Sequence, residues 1–205
     1  MNRPLVALSF VASLACLPAC GGSPEGVLPP RVGAPPAPEV TLVWVGFGEA
    51  ERADGQRWVR APEFDYEFTV EQRRFDDHWE SVKHLRRRHP AYDGSAGPRE
   101  QTMFFRLDLA AVDGAGHVPL RITSTLGAGE GSADREFRSA DLVFHPDISS
   151  FAPFDTYRIH QTYAYERGAL EEMVSLDDGD RPWVRNQESA KLFAARTFAE
   201  PPTRR

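Results

Sequence analysis

The sequence predicts an α+β domain, in which an antiparallel, curved β-sheet of about six to eight strands packs against two helices. Three observations lead to this prediction. Several segments alternate apolar and polar residues with the period of a half-buried strand. Two further segments, near 77–89 and 187–199, carry apolar residues at helical spacing. Glycine-containing sequences between the predicted strands suit tight antiparallel connections.

The predicted strands begin with the first apolar run of the domain. Residues 40–47 (VTLVWVGF) are apolar on both parities, which predicts a strand buried on both faces. The sequence "ADG" at 53–55 predicts a turn before a short strand at 58–60. Alternation predicts more strands, with these apolar residues: Phe64, Tyr66, Phe68 and Val70; Met103, Phe105, Leu107 and Leu109; Val118, Leu120 and Ile122; Leu142 and Phe144.

A hairpin is predicted around Arg167-Gly168. A two-residue turn there pairs Tyr165 with Leu170 and puts the apolar residues of both strands on one face. Arg-Gly is a weaker turn than Asn-Gly, so a longer loop is the alternative. Glu171 and Glu172 point to opposite faces of this strand, which argues against a general acid–base pair.

Both predicted helices rest on apolar spacing and on start or stop signals. In 77–89, Asp77 and Glu80 resemble a capping box and Pro90 ends the segment. In 187–199, apolar and small residues recur at intervals of three and four. The residues concerned are Trp79, Val82 and Leu85 in the first segment, and Ala190, Phe193, Ala194, Thr197 and Phe198 in the second.

The chain opens with a segment typical of a secretory signal. Residues 5–15 are apolar and uncharged, and eleven residues are too few to span a bilayer as a helix. "LPAC" follows, with a small residue, Ala19, directly before Cys20. This pattern resembles the lipobox of bacterial lipoproteins. The resemblance covers residues 1–20, with 1–19 as the signal peptide, and implies that Cys20 becomes the lipid-bearing first residue of the mature protein.

Cys16 is the alternative lipidation site, because Ala15 precedes it, although Ser13 stands where an aliphatic residue is preferred. A diacylglyceryl group supplies the two chains that stable membrane anchoring needs. The resemblance therefore implies a lipid-anchored protein of the cell envelope. In a Gram-negative host, Gly21 after the cysteine resembles the outer-membrane default.

The residues after Cys20 predict a tether and one domain. Residues 21–38 hold six prolines and four glycines, so 20–38 is predicted to be an extended, solvated spacer. An arm packed along the domain is the alternative. Residues 39–200 are predicted to form a single globular domain, and 201–205 a disordered tail.

Composition limits the partners. The net charge of −6 argues against a nucleic-acid-binding protein, which normally carries a basic excess. One concentrated basic stretch, "KHLRRRHP", is either the cationic end of a helix or a binding surface for an anionic partner. With the loop after it, this stretch is the candidate binding surface, formed by Arg86, Arg87, Arg88, His89, Tyr92 and Arg99.

No local motif predicts catalysis, a cofactor or a metal. His78, His84 and His89 do not converge on either a helix or a strand. "DGSAGPR" at 93–99 lacks the glycine spacing of a nucleophile elbow, and "GAGEG" at 127–131 lacks the lysine and helix of a phosphate loop and is predicted to be a flexible hairpin loop.

Three functions remain as hypotheses. The first is a non-catalytic envelope lipoprotein whose domain binds another macromolecule or envelope component. The second is a carrier whose curved, aromatic-rich sheet shelters an apolar ligand or lipid. The third is a hydrolase whose residues, such as His117, His145 or His160, come together from distant segments.

Overall fold

The chain forms a closed antiparallel β-barrel, which the computed structural model describes over residues 39–147, 154–179 and 181–197. The strands within these ranges are β1 (Val40–Asp54), β2 (Arg57–Arg60), β3 (Tyr66–Arg74), β4 (His78–Arg86), β5 (Glu100–Leu109), β6 (His117–Ser124), β7 (Gly127–Asp134), β8 (Ser139–Pro146), β9 (Thr156–Ala164), β10 (Ala169–Asp178) and β11 (Arg181–Thr197).

Strand order follows chain order. From β3 to β11 each strand pairs with the next, and β1 pairs with both β3 and β11. The β1–β11 ladder runs from Val40 opposite Thr197 to Arg52 opposite Val184, and it closes a ring of ten strands. The short β2 folds back on the end of β1 beside this ring, through a turn at Gly55 as predicted.

The α+β prediction, with two helices and six to eight strands, is wrong. Segment 77–89 lies mostly in β4, and most of 187–199 lies in β11. The helical residues of the described chain are two short 3₁₀ turns, Pro62–Phe64 and Tyr165–Arg167.

The two mistaken helices share a physical cause. On β4 the inward positions are Trp79, Ser81, Lys83 and Leu85, so two polar residues interrupt the apolar alternation. On β11 the inward residues Asn186 and Glu188 interrupt the alternation in the same way. Because polar residues occupy some inward positions, the apolar residues of these two strands no longer recur at every second position. Their remaining spacing of three and four residues resembles that of a helix.

The predicted strands are confirmed where apolar residues fill most inward positions, although Phe64 lies in a 3₁₀ turn just before β3. Strands β3, β5, β6 and β8 coincide with four predicted alternating segments. Residues 40–47 do form part of β1, but Val45 and Phe47 are 45% and 43% exposed, so this strand is buried on one face only.

The predicted hairpin exists with a different register. Ala164 pairs with Ala169 around a four-residue loop, Tyr165 to Gly168, so the longer loop is correct. The two-residue shift places Tyr163, rather than Tyr165, opposite Leu170. The apolar residues still share one face, because a shift of two preserves the side on which each residue points.

The "GAGEG" segment is a strand, β7, and not a flexible loop. A Cβ atom on Gly129 would lie 2.1 Å from the carbonyl oxygen of Val143 on β8. Gly129 and Gly131 have no side chain, so the interior beside them is filled by Phe144 and Leu142, which pair with them on β8.

The two ends of the barrel differ. The N-terminal end is where β1 begins and β11 finishes. At the opposite, capped end, the segment 87–99 packs Tyr92 and Ala96 against inward residues such as Ala50 and Val174. The signal peptide 1–19 with Cys16 and Cys20, the tether 20–38 and the tail 201–205 lie outside the described residues.

Candidate ligand-binding cavities

A charged cluster crosses the middle of the barrel. The Lys83 ammonium on β4 donates to Glu172 Oε2 on β10 at 3.1 Å, and to the two Glu188 oxygens on β11 at 2.7 and 2.5 Å. The three side chains are 12%, 5% and 1% exposed, respectively. A buried ion pair is stable only when its remaining hydrogen-bonding groups are satisfied.

A hydrogen-bonded chain satisfies those groups. The Tyr66 hydroxyl donates to Glu188, and the Gln161 amide donates to Glu172. The chain continues outward from Gln161, whose carbonyl oxygen accepts from Tyr163 at 3.3 Å. Gln72 in turn donates to the Tyr163 hydroxyl and accepts from the Trp44 indole. The donors all point toward Glu172 and Glu188, which fixes the hydrogen-bonded residues in one arrangement. The charged cluster and this chain of hydrogen bonds are here called the polar layer.

Two glycines of β1 make room for this layer. A Cβ atom on Gly48 would lie 2.7 Å from the Tyr66 ring, and one on Gly46 would lie 2.6 Å from the Phe68 ring. Both rings lie over the glycine positions, where Tyr66 reaches Glu188 and Phe68 lies 4.6 Å from the Lys83 ammonium. Gly46 and Gly48 therefore leave the space in which the Phe68 and Tyr66 rings contact the polar layer.

Burial and mutual contact shift the pKa values of all three charged groups. Burial, with repulsion from Glu172, raises the pKa of Glu188 to about 8. Burial acts on Glu172 in the same direction, but the Lys83 charge and hydrogen bonds outweigh it and lower its pKa. For Lys83, burial opposes the charged form, yet the two carboxylates keep its pKa above the usual value. Lys83 and Glu172 thus favour their charged forms, whereas Glu188 holds its proton to a higher pH than an exposed glutamate does.

The first cavity, here called the N-terminal cavity, holds about 80 Å³ between the polar layer and the N-terminal end. Its floor is polar, and its walls are aliphatic and aromatic. The lining residues are Val70, Gln72, Trp79, Ser81, Lys83, Phe105, Leu107, Leu120, Ile122, Phe137, Ala140, Leu142, Phe144, Ile159, Gln161, Tyr163, Tyr165 and Glu172.

The second cavity, here called the capped cavity, holds about 50 Å³ on the other side of the polar layer. Lys83, Phe105, Phe144 and Ile159 line both cavities and separate them. The other lining residues are Tyr66, Leu85, Arg87, Gln101, Met103, Tyr157, Val174, Leu176, Asn186 and Glu188. Among these shared residues, Phe105 faces inward and is only partly buried.

The six residues of the predicted binding surface do not form one surface. Arg86 and Arg88 are exposed and pair with Glu100 and Glu67, at 2.9 and 2.7 Å. His89 lies at the start of the capping segment, where its Nδ1 accepts from the Ala91 N–H.

The other three hold the capping segment together. Arg99 donates to the carbonyl oxygens of His89, Pro90 and Tyr92. The Tyr92 hydroxyl donates to the Gly97 carbonyl, and Arg87 is buried beneath the segment.

Sequence reasoning missed Lys83, Glu172 and Glu188. Glu172 was paired only with Glu171 in the sequence, but the two side chains point to opposite faces of β10. Its partner is Glu188, directly opposite on the next strand. The available signal was a charged residue at an inward position of a strand, and that signal depends on knowing that 187–199 is a strand.

The histidines of the hydrolase hypothesis lie apart from one another. His160 Nδ1 is 2.7 Å from Asp141 on the outer face, with no hydroxyl or thiol partner among the described residues. His145 Nδ1 is 3.4 Å from the Thr156 hydroxyl, but that hydroxyl donates to Asp155. A nucleophile needs its histidine as the proton acceptor, so neither arrangement matches a catalytic triad.

The described ranges contain no group of three or more His, Cys, Asp or Glu side chains placed to hold a metal ion. No helix in the described part of the chain is long and apolar enough to cross a membrane. Comparison with models of known protein families gave no match, and comparison with curated protein sequences gave none either.

Proposed function

We propose that this protein is a carrier that binds a small, mainly apolar ligand, or the apolar end of a lipid, in the N-terminal cavity. The observation that supports this most is an apolar space inside a closed barrel, with a polar layer at one end. Ligand sites typically combine apolar walls with a few fixed polar groups that orient the ligand. Here Lys83, Glu172 and Gln161 form the polar end of an otherwise apolar space.

The size of the cavity limits the ligand. A cavity of about 150 Å³ is enough for benzene. The 80 Å³ seen here accepts a few heavy atoms, and more when Phe105 turns toward the capped cavity. This favours a short acyl chain or a single ring, or the terminal part of a longer molecule.

An unsatisfied polar atom supports a ligand in the same place. The Trp79 indole N–H is buried and has no hydrogen-bond partner among the described residues. Such groups are rare in folded proteins because each costs free energy. Trp79 lines the N-terminal cavity, so a second oxygen or an aromatic face of a ligand there is a suitable acceptor.

The carrier is proposed to be anchored in the cell envelope through lipid on Cys20, with the tether 20–38 as spacer. Mass spectrometry of the membrane fraction is expected to show a diacylated or triacylated N-terminal Cys20. An unmodified peptide that continues through Cys16 and Cys20 would contradict the anchor without affecting the cavity.

Filling the N-terminal cavity is expected to weaken ligand binding. Ala140→Leu adds three carbons at a lining position of β8. The variant should bind 1-hexanol at least tenfold more weakly in an NMR-detected titration, because the added side chain occupies the ligand space. The titration uses the full-length chain with Cys16→Ala and Cys20→Ala, so that no attached lipid competes.

Ala128→Leu is the matched control, because Ala128 is exposed on the outer face of the neighbouring strand β7. It should bind 1-hexanol like the parent chain, with both variants checked for folding by their melting temperatures. Equal binding by Ala140→Leu and Ala128→Leu, or no binding by the parent chain, would overturn the proposed carrier function.

A further inference from the structure

The capped cavity contains a buried cation with no acidic partner. Arg87 is 7% exposed and lines this cavity. Its Nη1 donates to the Pro98 carbonyl at 3.0 Å, whereas its Nε has no hydrogen-bond partner among the described residues. Within those residues it forms no ion pair, in contrast to Arg86 and Arg88 on either side of it.

Its surroundings stabilise the charge only in part. The guanidinium carbon lies 5.5 Å from the centre of the Tyr66 ring and 5.0 Å from that of the Tyr92 ring. Aromatic faces attract a cation but carry no net charge. Arginine does not lose its proton in proteins, so burial cannot neutralise it. The remaining electrostatic cost is removed when an anion binds.

Other groups in the cavity suit the same ligand. Asn186 is buried, and its side-chain oxygen has no hydrogen-bond partner in the described part of the chain. Turning the amide presents its NH₂ group to an anion instead. Glu188 is the acidic residue of this lining, and its raised pKa favours the neutral form, which does not repel an anion. Lys83 is already engaged by both carboxylates.

We infer that the capped cavity binds the carboxylate of the ligand, with Arg87 as its partner. The planar fork of a guanidinium matches the two oxygens of a carboxylate. A space of about 50 Å³ suits a carboxylate better than a bulky phosphodiester head group. The apolar part of the ligand then extends past Phe105 into the N-terminal cavity. This inference rests on the proposed carrier function and narrows it to carboxylic acids.

Hexanoate and 1-hexanol test the inference, because they share an alkyl chain and differ in the charged end. With the full-length, unacylated chain at pH 7, hexanoate should bind at least tenfold more tightly. Arg87→Gln should lower hexanoate binding to the level of 1-hexanol binding in the same variant. Arg88→Gln is the matched control, since Arg88 is exposed and paired with Glu67, and it should keep the preference.

The inference is also tested on the parent chain, in case the Arg87→Gln variant does not fold. Hexanoate should raise the melting temperature of the parent chain more than 1-hexanol at equal concentration, since a ligand stabilises the state that it binds. Equal binding of the two compounds, or a hexanoate preference that survives Arg87→Gln, would overturn the carboxylate inference while the carrier function stands. Binding of neither compound would overturn both.

Discussion

Lys83→Met is expected to lower the free energy of unfolding by about 3–5 kcal/mol, the usual cost of removing one partner from a buried ion pair. The ammonium contacts both Glu172 and Glu188, and each carboxyl group is almost fully buried. Without it, Glu172 must remain charged in an apolar interior or take up a proton. Urea denaturation at pH 7 measures the loss.

The chain offers a matched control for this substitution. Lys191 is the other lysine of the sequence and is exposed on β11. Lys191→Met should change the free energy of unfolding by less than about 0.5 kcal/mol, as is usual for surface positions. Combining Lys83→Met with Glu172→Gln should restore much of the loss, because the unpaired charge is then removed as well. A loss below about 1 kcal/mol for Lys83→Met would contradict a structural role for the cluster.

The second large effect concerns pH. The pKa of Glu188 is raised from 4.5 to about 8 in the folded protein. The folded state therefore holds a proton that the unfolded state releases between these values. The contribution of Glu188 to stability is fully present below pH 4.5, declines as pH rises and is lost above pH 8. The decline should amount to several kcal/mol, since one pKa unit corresponds to about 1.4 kcal/mol.

Glu188→Gln should abolish this decline, because glutamine resembles the protonated acid and does not titrate. The variant is expected to be about as stable as the parent chain at pH 5 and more stable at pH 8, as measured by urea denaturation across this range. Glu171→Gln, at the exposed neighbour of Glu172, should retain the parent's pH dependence. A flat profile for the parent chain would contradict the raised pKa of Glu188.

The same buried polar residues explain why the sequence predicted the wrong fold class. Strands β5 and β6 were predicted correctly because apolar residues such as Phe105, Leu107 and Ile122 occupy their inward positions. On β4 and β11, inward Lys83 and Glu188 broke the alternation, and helical spacing was the pattern that remained. Local rules often fail where a fold places its functional side chains.

Closure of the barrel could not be predicted from the sequence for a different reason. It depends on the pairing of β1 with β11, which joins residues such as Gly46 and Ala190 across most of the chain. No local pattern encodes such a contact. β7 was missed for a third reason: Gly129 and Gly131 have no side chain to alternate, although their close approach to β8 is what the structure uses.

The candidate site was predictable only in part. The basic stretch drew attention to Arg87 because of its neighbours' charges, yet Arg87 differs from Arg86 and Arg88 by facing inward. On a strand, adjacent residues point to opposite faces, so one charged run divides into exposed and buried members. The carrier hypothesis rested on an aromatic-rich sheet, and the aromatic residues Tyr163 and Tyr165 do line the interior.

The most direct test of the carrier function is native mass spectrometry of the full-length protein isolated from the membrane fraction. A small apolar molecule should remain bound without a covalent link and be released by organic solvent. The Ala140→Leu variant should carry much less of it than Ala128→Leu. Both substitutions add the same mass, so a difference between the variants reports the bound molecule. The carrier function would be contradicted if both variants had the same mass and that mass were explained by the chain and any lipid on Cys20 alone.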